Sequence, residues 1–416
     1  MRLQGTNQGQ NRPFNRRIIL ETIRLKGPVS RADIARAVAL SPQTVSTITR
    51  ELEEANLLLS TRERPKRRGH PATMLRINPE GAFAIGLHLT PAGLQSALVD
   101  LSGRIVGRDA RALDTLDPQR VFPLLGELVA QTRALRKGGR ILGIGLAMPG
   151  PFNVEPMSFV GPTTMQGWDG VPVRERIAEE TRLPVFVDID AAAAALGESL
   201  YGRGHGLKKF FYLYFGVGLG GAMVHDGAPL RGAGGNVGEV GHMPIVENGD
   251  ACPCGNSGCL ERYVSLDALA RHFKAAGRPH DLASITASLD RNDPIFNEWL
   301  AEAAPLLRRA IAIVENLYDP ETIIAGGILP ARLLDRLIEA THPLLPSMAI
   351  RAARQAPRLV HSHASNESAL LGAGVLAISG VLSPKAGLQL VDAASARTPP
   401  DPLIDPVEPP KYSSAA

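Results

Sequence analysis

The chain has 416 residues, of which 44% are apolar and 21% charged, with 45 Lys and Arg against 41 Asp and Glu. This composition excludes a chain disordered throughout, and no apolar run reaches the roughly 18 residues that a membrane-spanning helix requires. The amino terminus lacks the apolar stretch of a signal peptide, and three cysteines are too few and odd in number for a disulfide framework, so we expect a cytoplasmic protein of two or three domains.

Charge is distributed unevenly along the chain. Residues 1–80 hold 15 basic and 7 acidic residues, a net charge of +8, whereas the remainder holds 30 basic and 34 acidic residues, a net charge of −4. A small basic domain on a mildly acidic body is expected where that domain meets a polyanion. A solubilising basic face is the alternative that charge alone leaves open.

Three helices are predicted in residues 14–55. Apolar spacing predicts the first over residues 14–25, and Gly27-Pro28 ends it. Ser30, with an acidic residue three positions later, predicts the cap of a second helix. Ser41-Pro42 predicts the start of a third helix, which continues to about Ala55.

The second and third helices, joined by a short turn, form the pattern of a helix-turn-helix, whose second helix enters the major groove of DNA. Val45, Ile48 and Leu52 are expected to face the core. Short polar side chains near the start of the helix can reach bases or phosphates, and an arginine further along can reach a phosphate. The candidate DNA contacts are Ser41, Gln43, Thr44, Ser46, Thr47 and Arg50.

A basic segment rich in Gly and Pro follows at residues 62–71, before a predicted strand at 73–77. It predicts a wing that lies along the DNA backbone or minor groove, with Arg67 and Arg68 as contacts. The sequence therefore predicts a winged helix-turn-helix that binds operator DNA. A three-helix bundle with a basic hairpin is the alternative.

From Phe83 the pattern becomes α/β. Strands are predicted at residues 84–89, 95–100, 141–147, 185–189, 210–215 and 322–325. Helices are predicted at residues 120–135, 173–180, 191–200 and 305–317. This order predicts an α/β fold with a ligand cleft between two lobes. The proline-rich residues 384–416 cannot form a core, and they predict a disordered tail.

All three cysteines stand in one window, Cys252, Cys254 and Cys259, and His242 precedes it by ten positions. Three thiolates and an imidazole are the set of four ligands that tetrahedral Zn²⁺ prefers. Packed core cysteines are the alternative, but the Pro, Gly, Asn and Ser residues between them suit a core poorly. Four protein ligands close the site, so we predict a structural zinc ion that leaves no position for an activated water.

Gly238-Glu239-Val240-Gly241-His242 and the run from Cys252 to Glu261 resemble the signature of the ROK family. That family joins bacterial sugar kinases and sugar-responsive repressors on an actin-like, hexokinase-like two-lobed fold. The resemblance extends over about residues 12–382, because the repressor branch also carries an amino-terminal winged helix. It implies three parts: a DNA-binding domain at 1–79, a kinase-like domain at 80–383 and the tail at 384–416. Lobe one would take about 80–190 plus 366–383, and lobe two about 191–365.

The kinases of the family hold ATP phosphates with a loop of the form Asp-x-Gly-Gly-Thr. Here the stretch from His88 to Ala92 reads His-Leu-Thr-Pro-Ala, so the acid and both glycines are absent and a proline removes an amide donor. Residues 216–221 and 325–327 resemble the second phosphate loop and the adenosine segment. Tight turns that the fold requires are the alternative for these glycines.

The sugar side of the resemblance is mixed. The family's general base is matched by Asp190, which we interpret as a vestigial base, whereas Ile189 replaces a sugar-binding asparagine, and Asp188 could compensate. Glu239, His242 and Glu261 match the remaining sugar contacts, with His242 also a zinc ligand. The alternative for these three residues is a network that only supports the zinc loop.

These features together predict a sugar-responsive transcriptional repressor without kinase activity, forming a homodimer or a dimer of dimers and independent of membranes. Ligand is expected to close the cleft, and the zinc loop to carry the change to the dimer and the DNA-binding domains. The main alternative is an ATP-dependent sugar kinase with an added DNA-binding domain. A second is a DNA-binding protein that has lost its ligand.

Overall fold

The computed structural model describes residues 12–62, 73–91, 93–150, 165, 167–168, 170–233, 235–289, 293–349 and 356–382. The predicted wing contacts Arg67 and Arg68 and the predicted tail at 384–416 lie outside these residues. Within them, no helix is both long and apolar enough to cross a membrane.

The amino-terminal part consists of three helices and a small antiparallel sheet of order β1-β3-β2. The helices are α1 (Arg12–Lys26), α2 (Arg31–Val38) and α3 (Pro42–Glu54). The strands are β1 (Val29–Ser30), β2 (Leu58–Arg62) and β3 (Thr73–Ile77). The three predicted helices and the predicted strand at 73–77 are thus confirmed.

Caps and apolar spacing explain these helices. The Ser30 hydroxyl accepts the Asp33 amide N–H at 3.2 Å, and the Ser41 hydroxyl accepts the Thr44 amide N–H at 3.1 Å, so each satisfies a donor that the first helical turn leaves unpaired. Val45, Ile48 and Leu52 of α3 are all buried, as their spacing predicts.

The first lobe is built on a five-stranded sheet of order β6-β5-β4-β7-β8. Its strands are β4 (Phe83–Thr90), β5 (Gly93–Asp100), β6 (Ile105–Arg111), β7 (Ile141–Met148) and β8 (Val185–Ile189). The helices α4 (Pro118–Ala134) and α5 (Val173–Thr181) belong to this lobe. β4, β7 and β8 run parallel and their carboxyl ends meet at one edge, where ligands of α/β sheets commonly bind.

The second lobe is built on another five-stranded sheet, of order β11-β10-β9-β12-β13. Its strands are β9 (Lys209–Phe215), β10 (Leu219–His225), β11 (Ala228–Pro229), β12 (Ile323–Gly327) and β13 (Leu359–His361). The helix α6 (Asp190–Tyr201) precedes this sheet, and α7 (Leu266–Ala275), α8 (Leu282–Leu289), α9 (Pro294–Tyr318) and α10 (Ala331–Thr341) belong to this lobe. The last described helix, α11 (Ser368–Leu382), returns to the first sheet.

The helix pair α6 and α11 joins the two sheets. α11 packs along α6 and against β4 and β7 of the first sheet, while α6 also packs against β9 and β10 of the second. The two helices approach so closely that a Cβ atom at Gly372 would lie 2.1 Å from the Ala193 carbonyl oxygen. The α/β fold with an amino-terminal winged helix-turn-helix is therefore confirmed.

One predicted helix boundary is wrong. The helix predicted at 305–317 is α9, which begins at Pro294 behind the Asp293 cap. Pro305, taken as a helix start, lies inside α9 on its exposed side, where a proline is still tolerated at a cost in stability. The helices α7, α8, α10 and α11 were not predicted. The domain boundaries at 79/80 and 383/384 and the lobe boundaries stay predictions.

Candidate functional site

The amino-terminal candidate site is the outer surface of α3. Gln43, Thr47 and Arg50 are exposed, and their spacing of four and three residues places them on one side of the helix. Ser46 is half-buried beside them. The hydroxyls of Ser41 and Thr44 lie 2.8 Å apart, so both also belong to the cap of α3.

Ion pairs from α1 and α2, including one between Arg12 and Glu51, fix α3 against its neighbours. Arg31 of α2 donates to the Thr49 hydroxyl at 2.9 Å and pairs with Glu53 at 2.6 Å. Arg16 of α1 pairs with Glu51 at 2.9 Å. Sequence reasoning missed the buried Thr49, although its spacing from Val45 and Leu52 marks it as core-facing.

The second candidate site is a cavity between the two sheets. The four predicted ligand contacts Asp190, Glu239, His242 and Glu261 all line it. The remaining lining residues come from the ends of β4, β7 and β8, the glycine run at the β9–β10 turn and the end of β12, namely Thr90, Pro91, Pro149, Gly150, Ile189, Ala191, Tyr214, Gly216, Val217, Gly218, Leu219, Gly220, Gly221 and Ile328. The fold therefore brings together residues that stand up to 238 positions apart, from Thr90 to Ile328.

Asp190 is the first residue of α6, directly after β8. One oxygen of its carboxylate accepts the Ala191 amide N–H at 2.8 Å. Burial, with a smaller contribution from the carboxylates of Glu239 and Asp188, raises the pKa of Asp190 to about 7 against the opposing effect of that amide. A carboxylate with such a pKa can accept a hydrogen bond or a proton from a hydroxyl near neutral pH.

Glu261 and Glu239 face the same cavity. Oε2 of the buried Glu261 accepts the Leu219 amide N–H at 2.8 Å. Its Oε1 is buried and has no hydrogen-bond partner among the residues that the structure describes. Glu239 lies 4.0 Å from the His242 imidazole, and burial raises the pKa values of both glutamates. The cavity thus has hydrogen-bond acceptors in excess of its own donors.

The carboxylate of Asp188, the neighbour of Ile189, is paired with an arginine. Both of its oxygens pair with the Arg231 guanidinium, at 2.5 Å each, and one also accepts the Ile189 amide N–H. Neither Asp188 nor Arg231 lines the cavity. The pair joins positions 43 residues apart, and no local signal in the sequence pointed to Arg231.

His88 is buried near the end of β4, two strands away from β8 in the same sheet, and does not itself line the cavity. Its Nε2 lies 3.5 Å from the Tyr214 hydroxyl. Burial lowers the pKa of His88 to about 4, so the imidazole is neutral at pH 7. Tyr214 itself lines the cavity, a role that sequence reasoning did not assign. The end of β4 therefore holds a neutral imidazole beside a phenol.

The glycines that resemble nucleotide-binding elements serve two purposes. Residues 216–221 line the cavity, and 216–218 among them form the tight turn between β9 and β10. Gly327 has a φ of +128°, and a Cβ atom there would lie 2.3 Å from the Phe215 carbonyl oxygen. The packing of the second sheet alone therefore requires this glycine.

The predicted metal ligands form one cluster. The ligand atoms of His242, Cys252, Cys254 and Cys259 all lie within 4.8 Å of one another. Cys252 Sγ lies 3.6 Å from His242 Nδ1, and Cys254 Sγ lies 3.6 Å from Cys259 Sγ. Ligands at about 2.3 Å from a tetrahedral metal are separated by about 3.8 Å, so the cluster has the dimensions of a metal site.

The loop between these ligands is folded tightly. Its backbone bonds include Cys252 N–H to the Asn256 carbonyl at 2.8 Å. Gly258 has a φ of +71°, and a Cβ atom there would lie 1.7 Å from the Val246 carbonyl oxygen. His242 turns Nδ1 toward Cys252 and Nε2 toward Glu239, so one imidazole links the metal cluster to the cavity.

Comparison with known protein families agrees with this two-part organisation. The profile of the ROK family matches residues 85–379, and a profile described as winged helix-turn-helix DNA-binding matches residues 15–58. The xylose repressor of Caldicellulosiruptor bescii is 28% identical over 331 residues, covering 76% of this chain and 83% of the repressor.

Solved structures add the geometry. A crystal structure of a ROK family transcriptional regulator, described as a homologue of the E. coli MLC protein, superposes with a TM-score of 0.71 at 28% identity, covering 92% of this chain and 99% of the regulator. The ROK hexokinase from Thermus thermophilus superposes with a TM-score of 0.57 at 29% identity, covering 74% of this chain and 99% of the enzyme. The similarity to the regulator therefore spans more of the chain than the similarity to the kinase.

Proposed function

The chain belongs to the ROK family, and from that premise we propose that it is a sugar-responsive transcriptional repressor that acts in the cytoplasm. Its winged helix-turn-helix binds operator DNA, and its kinase-like body binds a sugar without phosphorylating it. Two features of the same chain support the proposal. The helix α3 of the helix-turn-helix has an exposed polar surface, and the cavity is lined by carboxylates, one of which has an oxygen without a hydrogen-bond partner among the described residues.

The absence of kinase activity is supported by the composition of the cavity. A phosphate-binding loop needs backbone amides and charged groups directed at the phosphates and their metal ion. At the end of β4 this chain has the buried neutral His88, followed by Thr90 and Pro91. Pro91 has no amide donor to offer. Of the glycines that resemble nucleotide-binding elements, Gly327 is explained by the packing of the second sheet.

A structural zinc ion is supported by the dimensions of the ligand cluster and by the chemistry of its donors. Three thiolates and an imidazole suit Zn²⁺, and with all four positions taken by protein the ion would hold the loop without catalysing a reaction. Zinc on Nδ1 of His242 would leave the proton on Nε2, which faces Glu239. The metal would thereby orient a hydrogen-bond donor at the edge of the cavity.

A route from the cavity to the DNA-binding part runs along α6. This helix begins at Asp190 in the cavity and ends at Tyr201, about 18 Å away for 12 residues. Leu196 and Leu200 near its end belong to the same apolar cluster as Ile18, Ile19 and Leu20 of α1. The sequence led us to expect that the zinc loop and the dimer carry the effect of the ligand to the DNA-binding part. The α6 route offers a path that needs neither.

Polar contacts complete this junction. The guanidinium of Arg24 lies 5.9 Å from the centre of the Tyr201 ring, and the Tyr201 hydroxyl donates to the Leu101 carbonyl at 3.0 Å. Arg17 of α1 donates to the Val381 carbonyl of α11 at 3.0 Å. A ligand that favours one position of α6 would thus favour one position of α1, and operator affinity would follow.

The function is tested by selection from a pool of random DNA duplexes, followed by fluorescence anisotropy with the selected duplex at fixed salt. We expect specific binding at least 1,000-fold tighter than to a scrambled duplex. D-glucose, D-xylose and N-acetyl-D-glucosamine are then titrated in, and at least one should change the affinity. Selection of no sequence would contradict DNA recognition, whereas selection without any sugar effect would favour the protein that has lost its ligand. Half-site spacing of about one DNA turn in the selected sequences would support a homodimer or a dimer of dimers.

The reading surface is tested by two variants. Gln43→Ala should relax the preference at one base pair, at a cost of about 1–3 kcal/mol for the preferred duplex. Arg50→Ala should weaken all duplexes alike and reduce the slope of log affinity against log salt by about 1. Arg309→Ala, an exposed arginine on α9, is the matched control and should change neither quantity. If Gln43→Ala weakens binding to every DNA sequence equally, Gln43 does not contact a base.

The coupling route is tested by Tyr201→Ala. Sugar affinity should stay within about twofold, because Tyr201 lies outside the cavity, while the effect of sugar on operator affinity should fall by at least half on a logarithmic scale. Tyr318→Ala removes an aromatic side chain from the second lobe and serves as the control. If sugar changes the operator affinity of Tyr201→Ala as much as that of the wild type, the coupling would be expected to run through the zinc loop and the dimer instead.

The kinase alternative is tested directly. The full-length protein with Zn²⁺ is incubated with ATP, Mg²⁺ and the same sugars, and sugar phosphate is quantified. We expect no product above a control without protein. Turnover comparable to ordinary enzymes, about 1 s⁻¹ or faster, would establish a kinase with a DNA-binding domain.

A further inference from the structure

The lining of the cavity is divided between acceptors and apolar groups. Asp190, Glu239 and Glu261 supply carboxylates on one side. The other lining side chains include the polar Thr90, Tyr214 and His242. The aliphatic or prolyl ones include Pro91, Pro149, Ile189, Val217 and Ile328. A ligand that fits can therefore offer hydroxyl donors to the carboxylates and a carbon without polar groups to the aliphatic side chains.

Charge restricts the ligand further. Among the described residues that line the cavity there is no Lys or Arg, and residues 151–164, which follow Gly150, contain none in their sequence. The guanidinium of Arg231 is already paired with both oxygens of Asp188. A phosphate ester carries a charge of about −1.5 to −2 at pH 7 and would face three carboxylates with no compensating cation.

Ile189 stands directly before Asp190 at the end of β8 and lines the cavity beside it. Its side chain has no donor or acceptor. A ligand hydroxyl held against it would lose its water partners and gain none, whereas a methyl or methylene group there would be buried favourably. Each such misplaced hydroxyl lowers affinity by about 10- to 100-fold.

From this juxtaposition we propose that the ligand is an uncharged deoxysugar, whose carbon without a hydroxyl faces Ile189 while its remaining hydroxyls bind Asp190, Glu239 and Glu261. Ile189 is the residue that determines this specificity. The unpartnered Oε1 of Glu261 accepts one of the hydroxyls. The inference rests on the proposed function, because it specifies the ligand of the same cavity.

The test compares sugars that differ by one hydroxyl. D-glucose is paired with its 2-, 3-, 4- and 6-deoxy forms, D-galactose with 6-deoxy-D-galactose, and D-glucose also with D-glucose 6-phosphate. Binding to the full-length, Zn²⁺-containing protein is measured by calorimetry. We expect at least one deoxy form to bind about tenfold or more tightly than its parent sugar, and the phosphate ester to bind more weakly than either.

Variants at position 189 assign the effect to this side chain. Ile189→Asn should reverse the preference, so that the parent sugar binds more tightly than the deoxy form. Ile189→Thr, which keeps the β-branched shape and adds one hydroxyl, should reduce the preference and covers the case in which the asparagine variant fails to fold. Ile189→Val should keep the preference, because it remains apolar.

The outcomes are distinguishable. Equal or tighter binding of the parent sugars, or tighter binding of the phosphate ester, would overturn the deoxysugar inference and leave sugar sensing intact. A preference that Ile189→Asn and Ile189→Thr leave unchanged would overturn the role of Ile189. If no sugar of the panel binds, while the selected duplex does, sugar sensing itself fails and the inference with it.

Discussion

Two groups of residues in and behind the lining of the cavity bury ionisable side chains in opposite ways: an acid side formed by Asp190, Glu239 and Glu261, and a neutral side formed by His88 and Tyr214. On one side Asp190 is an acid whose pKa is raised to about 7, so that burial and its carboxylate neighbours favour the protonated form. On the other side His88 is a base whose pKa is lowered to about 4, so that burial favours the neutral imidazole. Both groups avoid charge, but only the acid side keeps acceptors that the protein leaves unused.

This difference suggests which contacts the cavity has kept. Unused acceptors such as Oε1 of Glu261 are costly to bury, and they are expected where a ligand supplies the missing donors. His88, by contrast, has the Tyr214 hydroxyl beside it and requires nothing from outside. The contrast fits the proposal of a protein that binds a sugar and does not transfer phosphate to it.

The largest effect is expected from loss of the metal ligands, because the cluster supports only the acid side. Cys259→Ser should abolish measurable sugar binding, since His242 and Glu261 are both held by the loops that the cluster joins. The melting temperature should also fall, by roughly 10 °C. Calorimetry and thermal unfolding, with zinc content determined by atomic absorption, measure the three quantities.

Ser257→Ala is the control for this prediction, because Ser257 lies between the ligands and is not one of them. It should retain zinc and sugar binding. Sugar affinity that survives in Cys259→Ser would mean that the acid side does not depend on the cluster, and the contrast between the two sides would lose its structural basis.

Asp190→Asn tests the acid side next. In the wild type the native state holds the Asp190 proton between pH 3.8 and about 7 while the unfolded chain releases it, so this contribution to stability is lost as pH rises through that window. Asparagine does not ionise. The variant should therefore be more stable than the wild type at pH 8, by up to about 4 kcal/mol, and equal to it below pH 4.

The same substitution should weaken sugar binding by about 10- to 100-fold, because an amide offers a weaker acceptor than a carboxylate. Urea unfolding at pH 4 and pH 8 and calorimetry at pH 7 measure the two effects. A variant that is less stable than the wild type at pH 8 would show that Asp190 is charged and well solvated in the native state.

How far the sequence could predict these features depends on how local they are. The caps Ser30 and Ser41 and the four residues of the His/Cys cluster stand within short windows, so spacing and residue type were enough to place them. The apolar spacing of α3 likewise placed Val45, Ile48 and Leu52 in the core. Asp190, Glu239, His242 and Glu261 were assigned through the family resemblance, and the structure brings them to one cavity.

Contacts between distant parts of the chain could not be predicted. The Tyr214 hydroxyl meets His88 across 126 residues, and Arg231 meets Asp188 across 43. No period or motif links these positions, because only the arrangement of the two sheets brings them together. The wrong helix start at Pro305 has a local cause. Proline is common in the first turn of a helix, but an exposed position inside a helix can also accept it.

The smallest effect is expected on the neutral side, from His88→Gln. The folded pKa of His88 is about 4 against an ordinary 6.5, so the stability that comes from the neutral imidazole is complete above pH 6.5 and is lost as pH falls toward 4. Glutamine cannot be protonated there. Between pH 7 and pH 4 the free energy of unfolding of the variant should therefore fall by up to about 3 kcal/mol less than that of the wild type. Sugar affinity at pH 7 should change by less than about threefold, because His88 does not line the cavity. Urea unfolding across that pH range and calorimetry at pH 7 measure the two effects.

His88→Asp is the companion variant. It places an acid at this position, yet it should gain no phosphate transfer from ATP, because the nearby Pro91 still lacks an amide donor. A pH dependence in His88→Gln identical to that of the wild type, or turnover in His88→Asp, would erase the contrast between the two sides.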